Sequence, residues 1–247
     1  MGETIKTQAI VLAKVDYRDN DRILTLFSPE YGRMTATARG VKKQTSKLRP
    51  SGEIFAFGTY LLAETHGRYT VTGYDSVDSF HELREDFDRL STGALLLKIT
   101  EKSVEEGESD PELFTLLLRS LDKLRDEKTP PALTVSAFLM KFCASAGYCP
   151  ELDVCAKCGK KEELLFLSPA LGGVLCTACC EGEHQAVTGG CLYYLRKLVN
   201  EPWENAFLLK PTEKQLRELY RVCCFYTAFF FDEKIKIMEY IEKYGLI

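Results

Sequence analysis

A chain of 247 residues that is 45% hydrophobic and 28% charged has the make-up of an ordinary folded protein, with room for one large domain or two to three small ones. Its formal net charge of -4 argues against a uniformly cationic coat, and no apolar run approaches the ~20 residues of a membrane-crossing helix. Ten cysteines without a secretory leader point to a reducing, cytoplasmic setting in which thiols bind metal or sit buried.

The average charge conceals a division. Through residue 80 there are eleven Lys and Arg against nine Asp and Glu; residues 81–150 carry nine against thirteen, and residues 151–247 twelve against fourteen. Local fields decide binding, so the basic excess of the first eighty residues carries weight.

Those residues read as strands. Thr7–Val15, Arg22–Ser28, Arg33–Arg39, Ile54–Glu64 and Arg68–Tyr74 are short, rich in β-branched and aromatic residues, and separated by turn residues. Arg33–Arg39 alternates most cleanly, with Met34, Ala36 and Ala38 on one face. Five short strands suit a small closed barrel; an OB-fold is the commonest choice and an SH3-like barrel the competitor. Asp16, Asp19 and Asp21 read as a turn rather than a cation site.

From residue 81 the period becomes helical, over Phe87–Glu106, Pro111–Asp126 and Pro131–Ala146. Ser109-Asp110-Pro111 is a helix start, and Gly147 ends the third helix. Helices resume over Gly190–Asn200, Thr212–Phe231 and Asp232–Tyr244, with Thr212-Glu213-Lys214-Gln215 as a capping box. Phe225, Tyr226, Phe229, Phe230 and Phe231 form a packing face, and Cys223 and Cys224 are expected core thiols.

Between the two helical parts stand Cys155-Ala156-Lys157-Cys158 and Cys176-Thr177-Ala178-Cys179, two Cys-x2-Cys turns separated by seventeen residues. A tetrahedral zinc ion takes four soft thiolates, and a two-residue gap lets one turn present two of them. The expected site is therefore a structural zinc held by Cys155, Cys158, Cys176 and Cys179, in a ribbon whose hairpin runs from Leu164 to Leu175. Cys180 adjoins Cys179 and competes for the fourth position. The fold class that follows is α+β: an OB-fold barrel (1–80), a helical domain in two parts (81–150 and 187–247), and an inserted zinc ribbon (151–186).

A second feature is cationic. Arg33, Arg39, Lys42, Lys43, Lys47 and Arg49 follow one another with no acidic residue between Tyr31 and Gly52. Converging cations with hydroxyl and amide donors suit a phosphate backbone, with Tyr31, Tyr60 or Tyr69 as stacking platforms. A solvated basic loop is the plainer alternative. Enzymatic signatures are absent: there is no phosphate-binding loop, no zinc-protease motif and no dinucleotide fingerprint. His66, His81 and His184 stand apart from metal or triad spacing, so a non-enzymatic role is expected.

The strings Phe138-Leu139-Met140-Lys141-Phe142, Gly147-Tyr148-Cys149-Pro150-Glu151-Leu152, Cys155-Ala156-Lys157-Cys158-Gly159 and Gly172-Gly173-Val174-Leu175-Cys176 resemble the RecO family of bacterial DNA repair proteins. Asp21-Arg22-Ile23-Leu24-Thr25-Leu26-Phe27-Ser28 and Ala38-Arg39-Gly40-Val41-Lys42-Lys43 extend the resemblance to the amino terminus. It implies the barrel, helical domain and ribbon already read from the residues. It also implies a cytoplasmic, nucleoid-associated recombination mediator. Such a protein binds single- and double-stranded DNA, anneals strands without ATP, works with RecR to load RecA, and contacts the C-terminal tail of single-strand binding protein. DNA binding then falls to the six cations above. Arg196, Lys197, Arg217 and Arg221, near Leu195, Leu198 and Tyr220, are candidates for the acidic tail. Two other classes compete with the mediator: a zinc-stabilised nucleic-acid-binding regulator, and an enzyme with a structural insert.

Overall fold

The computed structural model describes residues 4–235. Five strands, β1 (Thr4–Tyr17), β2 (Asp21–Ser28), β3 (Gly32–Ala38), β4 (Phe57–Thr65) and β5 (Arg68–Asp78), close into a barrel of order β1-β2-β3-β5-β4. All pairings are antiparallel except β3 with β5, which runs parallel through Ala36↔Tyr69 and Thr37↔Thr70. Closure needs one strand long enough to serve two neighbours. β1 pairs with β4 over Thr4–Ile10 and with β2 over Ile10–Tyr17, with a register shift between Val11 and Ala13.

The alternation seen in the sequence sets the interior. Met34, Ala36 and Ala38 pack with Ala9, Val11, Leu24, Leu26, Tyr60, Leu62 and Val71. Alanine at several inward positions leaves room in a narrow barrel for one large ring, Tyr60. That ring is fully buried, its hydroxyl donates to Ser51 O at 3.0 Å, and burial pushes its pKa far up. Tyr60 is thus a core anchor for the β3–β4 loop and not a stacking platform. β4 begins at Phe57 rather than Ile54, because Phe55 is left-handed (φ 69°) and Ala56 N donates back to Glu53 O at 3.1 Å.

The chain forms two compact units. Of the described residues, one comprises those through Asp86 with Leu97–Leu118; the other comprises Phe87–Leu96 with those from Arg119 to Ile235. Helix α1 (Phe87–Ser103) and helix α2 (Pro111–Lys123) therefore each contribute to both. In the first unit Phe114 sits edge-on to Phe27 and Phe57, at 5.3 and 6.0 Å between ring centroids. α1 stops at Ser103, short of the Glu106 that periodicity suggests, because the next residues bond to the barrel. Arg33 N donates to Glu105 O at 3.2 Å and Gly107 N to Arg33 O at 3.4 Å.

Gly32 sits where this connection crosses β3. Its φ is +60°, and a Cβ there would lie 2.1 Å from Glu108 O. Gly32→Ala is expected to destabilise the first unit by on the order of 3 kcal/mol, from backbone strain plus the clash. A urea titration followed by circular dichroism would show it; an unshifted midpoint would mean that residues 104–108 are not fastened there.

In the second unit α3 (Pro131–Ser145) is buried over most of its circumference and packs against α4 (Gly189–Asn200) and α5 (Glu213–Ile235). The capping box forms as expected: Thr212 N donates to Gln215 Oε1 at 2.9 Å and Gln215 N to Thr212 Oγ1 at 3.4 Å. α5 runs past Phe231 without the break expected before Asp232, and the rest of the expected Asp232–Tyr244 helix lies outside the described residues. Cys223 and Cys224 are core thiols, joined by Cys143 and Cys191, and burial pushes Cys143 and Cys191 up to about 12. The inserted ribbon is a three-stranded sheet of β6 (Leu164–Ser168), β7 (Gly173–Cys176) and β8 (Gln185–Ala186), in the order β7-β6-β8. Among the described residues no helix is long and apolar enough to cross a membrane.

Candidate nucleic-acid interface and metal centre

The β6–β7 hairpin brings the two Cys-x2-Cys turns together. Cys155 N donates to Lys160 O at 2.7 Å and Gly159 N to Cys155 O at 2.8 Å, a tight knuckle that Gly159 completes at φ 75°. Ala156 N donates to Val174 O at 2.8 Å and stitches the knuckle to β7, whose last residue is Cys176. The sulfurs of Cys155, Cys158, Cys176 and Cys179 then lie within 4.8 Å of one another. A tetrahedral ion about 2.3 Å from each sulfur sets them about 3.8 Å apart, and Cys158 and Cys176 stand at 3.8 Å. The residues fit a metal ion.

Electrostatics divide the set: without a bound ion the neighbouring Cys158 sulfur, with burial, pushes the Cys179 thiol up to about 12, whereas Cys155 is shifted toward the thiolate. Burial pushes the Cys155 thiol up, but the amides of Cys176, Cys158 and Lys157 outweigh it and bring the group to about 6; Cys176 N lies 3.4 Å from the sulfur. Cys180 is occupied elsewhere, with its sulfur 3.2 Å from His184 Nε2, whose Nδ1 lies 2.8 Å from Gly182 O. Cys179 therefore completes the set and Cys180 does not. Four protein thiolates leave no position for a reacting water, so such an ion braces the fold.

The six cations of residues 33–49 fall into two groups. Arg33 donates from Nη1 to Glu101 O at 3.3 Å, and Lys42 Nζ lies 2.8 Å from Asp16 Oδ2. Arg39, Lys43, Lys47 and Arg49 are exposed and make no ion pair among the described residues. Their loop is fastened to the barrel. Gly40 N donates to Asp21 Oδ1 at 2.8 Å, Lys42 N to Asn20 O at 3.0 Å, and Val41 is fully buried. Arg22 clasps the far end through Gly52 O at 2.9 Å and Glu53 at 2.7 Å, and Glu53 also takes Lys14 at 2.5 Å.

At the head of the loop, Arg39 also lines a cavity of about 470 Å³ with Tyr17, Arg18, His66, Arg68 and Tyr69. The cavity lies between the β1–β2 turn, the end of β3 and the β4–β5 turn. Arg18 rests over the Tyr17 ring at 5.0 Å, and Asp21, the lone carboxylate among the lining residues, is engaged by the Gly40 amide. Arginines beside aromatic rings suit a nucleotide strand, which offers phosphates and flat bases. Arg18 and Arg68 escaped the sequence reading, and His66 was weighed only for metal or triad spacing, because barrel closure rather than sequence proximity brings the β1–β2 and β4–β5 turns together. The available signal was the OB-fold rule that these two turns flank the ligand groove.

The four cations proposed for a partner tail also divide. Arg217 and Arg221 line a cavity of about 580 Å³ with Lys214 and Val222, but Glu213 and Glu218 line it as well and Arg217 pairs with Glu213. Arg196 instead donates to Leu152 O at 2.7 Å and pairs with Asp153, and Lys197 pairs with Glu201. Leu195, Leu198 and Tyr220 are core residues, at most 2% exposed, so they cannot form a docking wall.

Two family models match in series: Recombination protein O N terminal over residues 1–80, and Recombination protein O C terminal over residues 84–230. Among curated relatives, a DNA repair protein RecO of Desulfitobacterium hafniense is 33% identical over 236 residues, covering 92% of this chain and 85% of its own length. One from Pelotomaculum thermopropionicum is 32% identical over 243 residues, covering 97% and 94%. One from Syntrophomonas wolfei is 35% identical over 184 residues, covering 74% and 73%.

Proposed function

Since the chain belongs to the RecO family of DNA repair proteins, we propose that it is a recombination mediator. It binds single- and double-stranded DNA through its barrel, anneals complementary strands without ATP, and helps RecR load RecA onto strands coated by single-strand binding protein. The observation that carries this reading is the position of Arg39. It belongs both to the arginine-lined cavity and to the fastened loop that displays Lys43, Lys47 and Arg49. Two strands repel each other through their phosphates, and a fixed cationic surface lowers that barrier with no chemical step. No reacting group is needed, which suits a protein that is not an enzyme.

We assign the four-thiolate site to a structural zinc, the ion that four cysteines at this spacing favour. Cys155, Cys158, Cys176 and Cys179 would hold it, and it would tie the ribbon together beside the helices. For the acidic tail of single-strand binding protein we place the seat at the cavity of Arg217 and Arg221, where Lys214 adds charge and Val222 an apolar contact, and where an incoming carboxylate would have to take Arg217 from Glu213 beside a second carboxylate, Glu218. Annealing of complementary oligonucleotides without nucleotide cofactor, together with tail-peptide binding weakened about ten-fold by Arg217→Ala with Arg221→Ala, is the expected outcome. DNA binding with neither annealing nor tail recognition would instead mark a metal-braced regulator.

A further inference from the structure

Asp16 faces two cations that are held with unequal firmness. Its Oδ1 accepts from Arg22 Nε at 3.0 Å and its Oδ2 from Lys42 Nζ at 2.8 Å. Arg22 has two more acceptors, Gly52 O and Glu53 Oε1, and its side chain is only 16% exposed. Lys42 has Asp16 as its one side-chain partner among the described residues, in a pair whose members are 30% and 58% exposed.

The backbone at Lys42 is secured separately. Its amide donates to Asn20 O, Gly40 N donates to Asp21, and Val41 is buried between them. The Lys42 ammonium can therefore leave Asp16 without loosening the loop, and Asp16 keeps Arg22 when it does. An exposed lysine–carboxylate pair contributes little to stability. Moving that ammonium onto a strand phosphate supplies the same kind of charge-assisted acceptor and also releases a condensed counterion.

Taking DNA binding by the barrel as its premise, we infer that Asp16 stands in for a strand phosphate at Lys42 in the free protein. It parks the lysine at the base of the cationic loop and yields it to the incoming backbone. Asp16 is on this view a positioning residue that sets affinity, not a contact to DNA. Glu53 makes the useful contrast, since it holds Lys14 and Arg22 but not Lys42.

The test is a double-mutant cycle on the full chain, read as binding of a labelled oligothymidylate across a salt series. Asp16→Asn should tighten binding about three- to ten-fold in dilute buffer and leave the salt slope nearly unchanged, since the same phosphates are contacted. In the Lys42→Ala background the same substitution should change affinity by less than about two-fold, and Glu53→Gln should mimic it only weakly. Asp16→Ser provides the same readout if the asparagine variant folds poorly. An equal gain with and without the lysine would reduce Asp16 to a general repulsive charge and overturn the inference while leaving DNA binding intact. No binding by the unsubstituted protein in dilute buffer would overturn both.

Discussion

Cys176→Ser is expected to empty the metal site and lower the melting temperature by on the order of 10 °C. The ribbon has little else to hold it. Its buried apolar side chains are few, chiefly Leu164, Leu167, Val174 and Leu175, whereas a structural zinc contributes up to about 10–16 kcal/mol to folding in comparable segments. Cys176 and Cys155 are the buried members of the four, at 1% and 2% exposure, so as ligands neither could be replaced by water without cost. Cys180→Ser should leave metal content and melting unchanged, because that sulfur is directed at His184. Atomic absorption beside a thermal melt separates the outcomes. Full metal content in the Cys176→Ser protein would remove that residue from the site.

The second large effect concerns DNA. If Arg39, Lys43, Lys47 and Arg49 each contact one phosphate of a single strand, they set a salt slope of about -3; adding Arg18 and Arg68 brings it to about -4, and Lys42 once released from Asp16 to about -5. Replacing Lys43, Lys47 and Arg49 by glutamate should cost on the order of 100-fold in affinity near 0.1 M salt, alike for all sequences, and flatten the slope by about 2. Arg18→Ala with Arg68→Ala should flatten it by about 1.4. Arg33→Ala should leave the slope nearly unchanged, since that guanidinium serves Glu101 O. A salt-titrated anisotropy assay decides this, and a flat response in the triple variant would clear the loop of any role.

Much of the architecture was legible because it is written in local periods. Alternation placed Met34, Ala36 and Ala38 inside the barrel, and the spacing of the cysteines brought their sulfurs into reach of one ion. What escaped depends on neighbours far along the chain. Nothing around Tyr60 announces that alanines elsewhere make room for its ring, and nothing near Glu106 announces that β3 will claim its backbone. Charge suffered in the same way. Lys42 looks as available as Lys43 until Asp16, twenty-six residues earlier, is seen beside it.

The aromatic trio at the base of the first unit bears on how the protein can be cut. Phe114 covers Phe27 and Phe57 from a position well beyond the last barrel strand. A fragment ended at Asp86, the natural place to excise the barrel by its strands, would strip that cover and leave two rings in water. The smallest portion that keeps its own lid must reach Leu118, and so must carry all of α1 along with it.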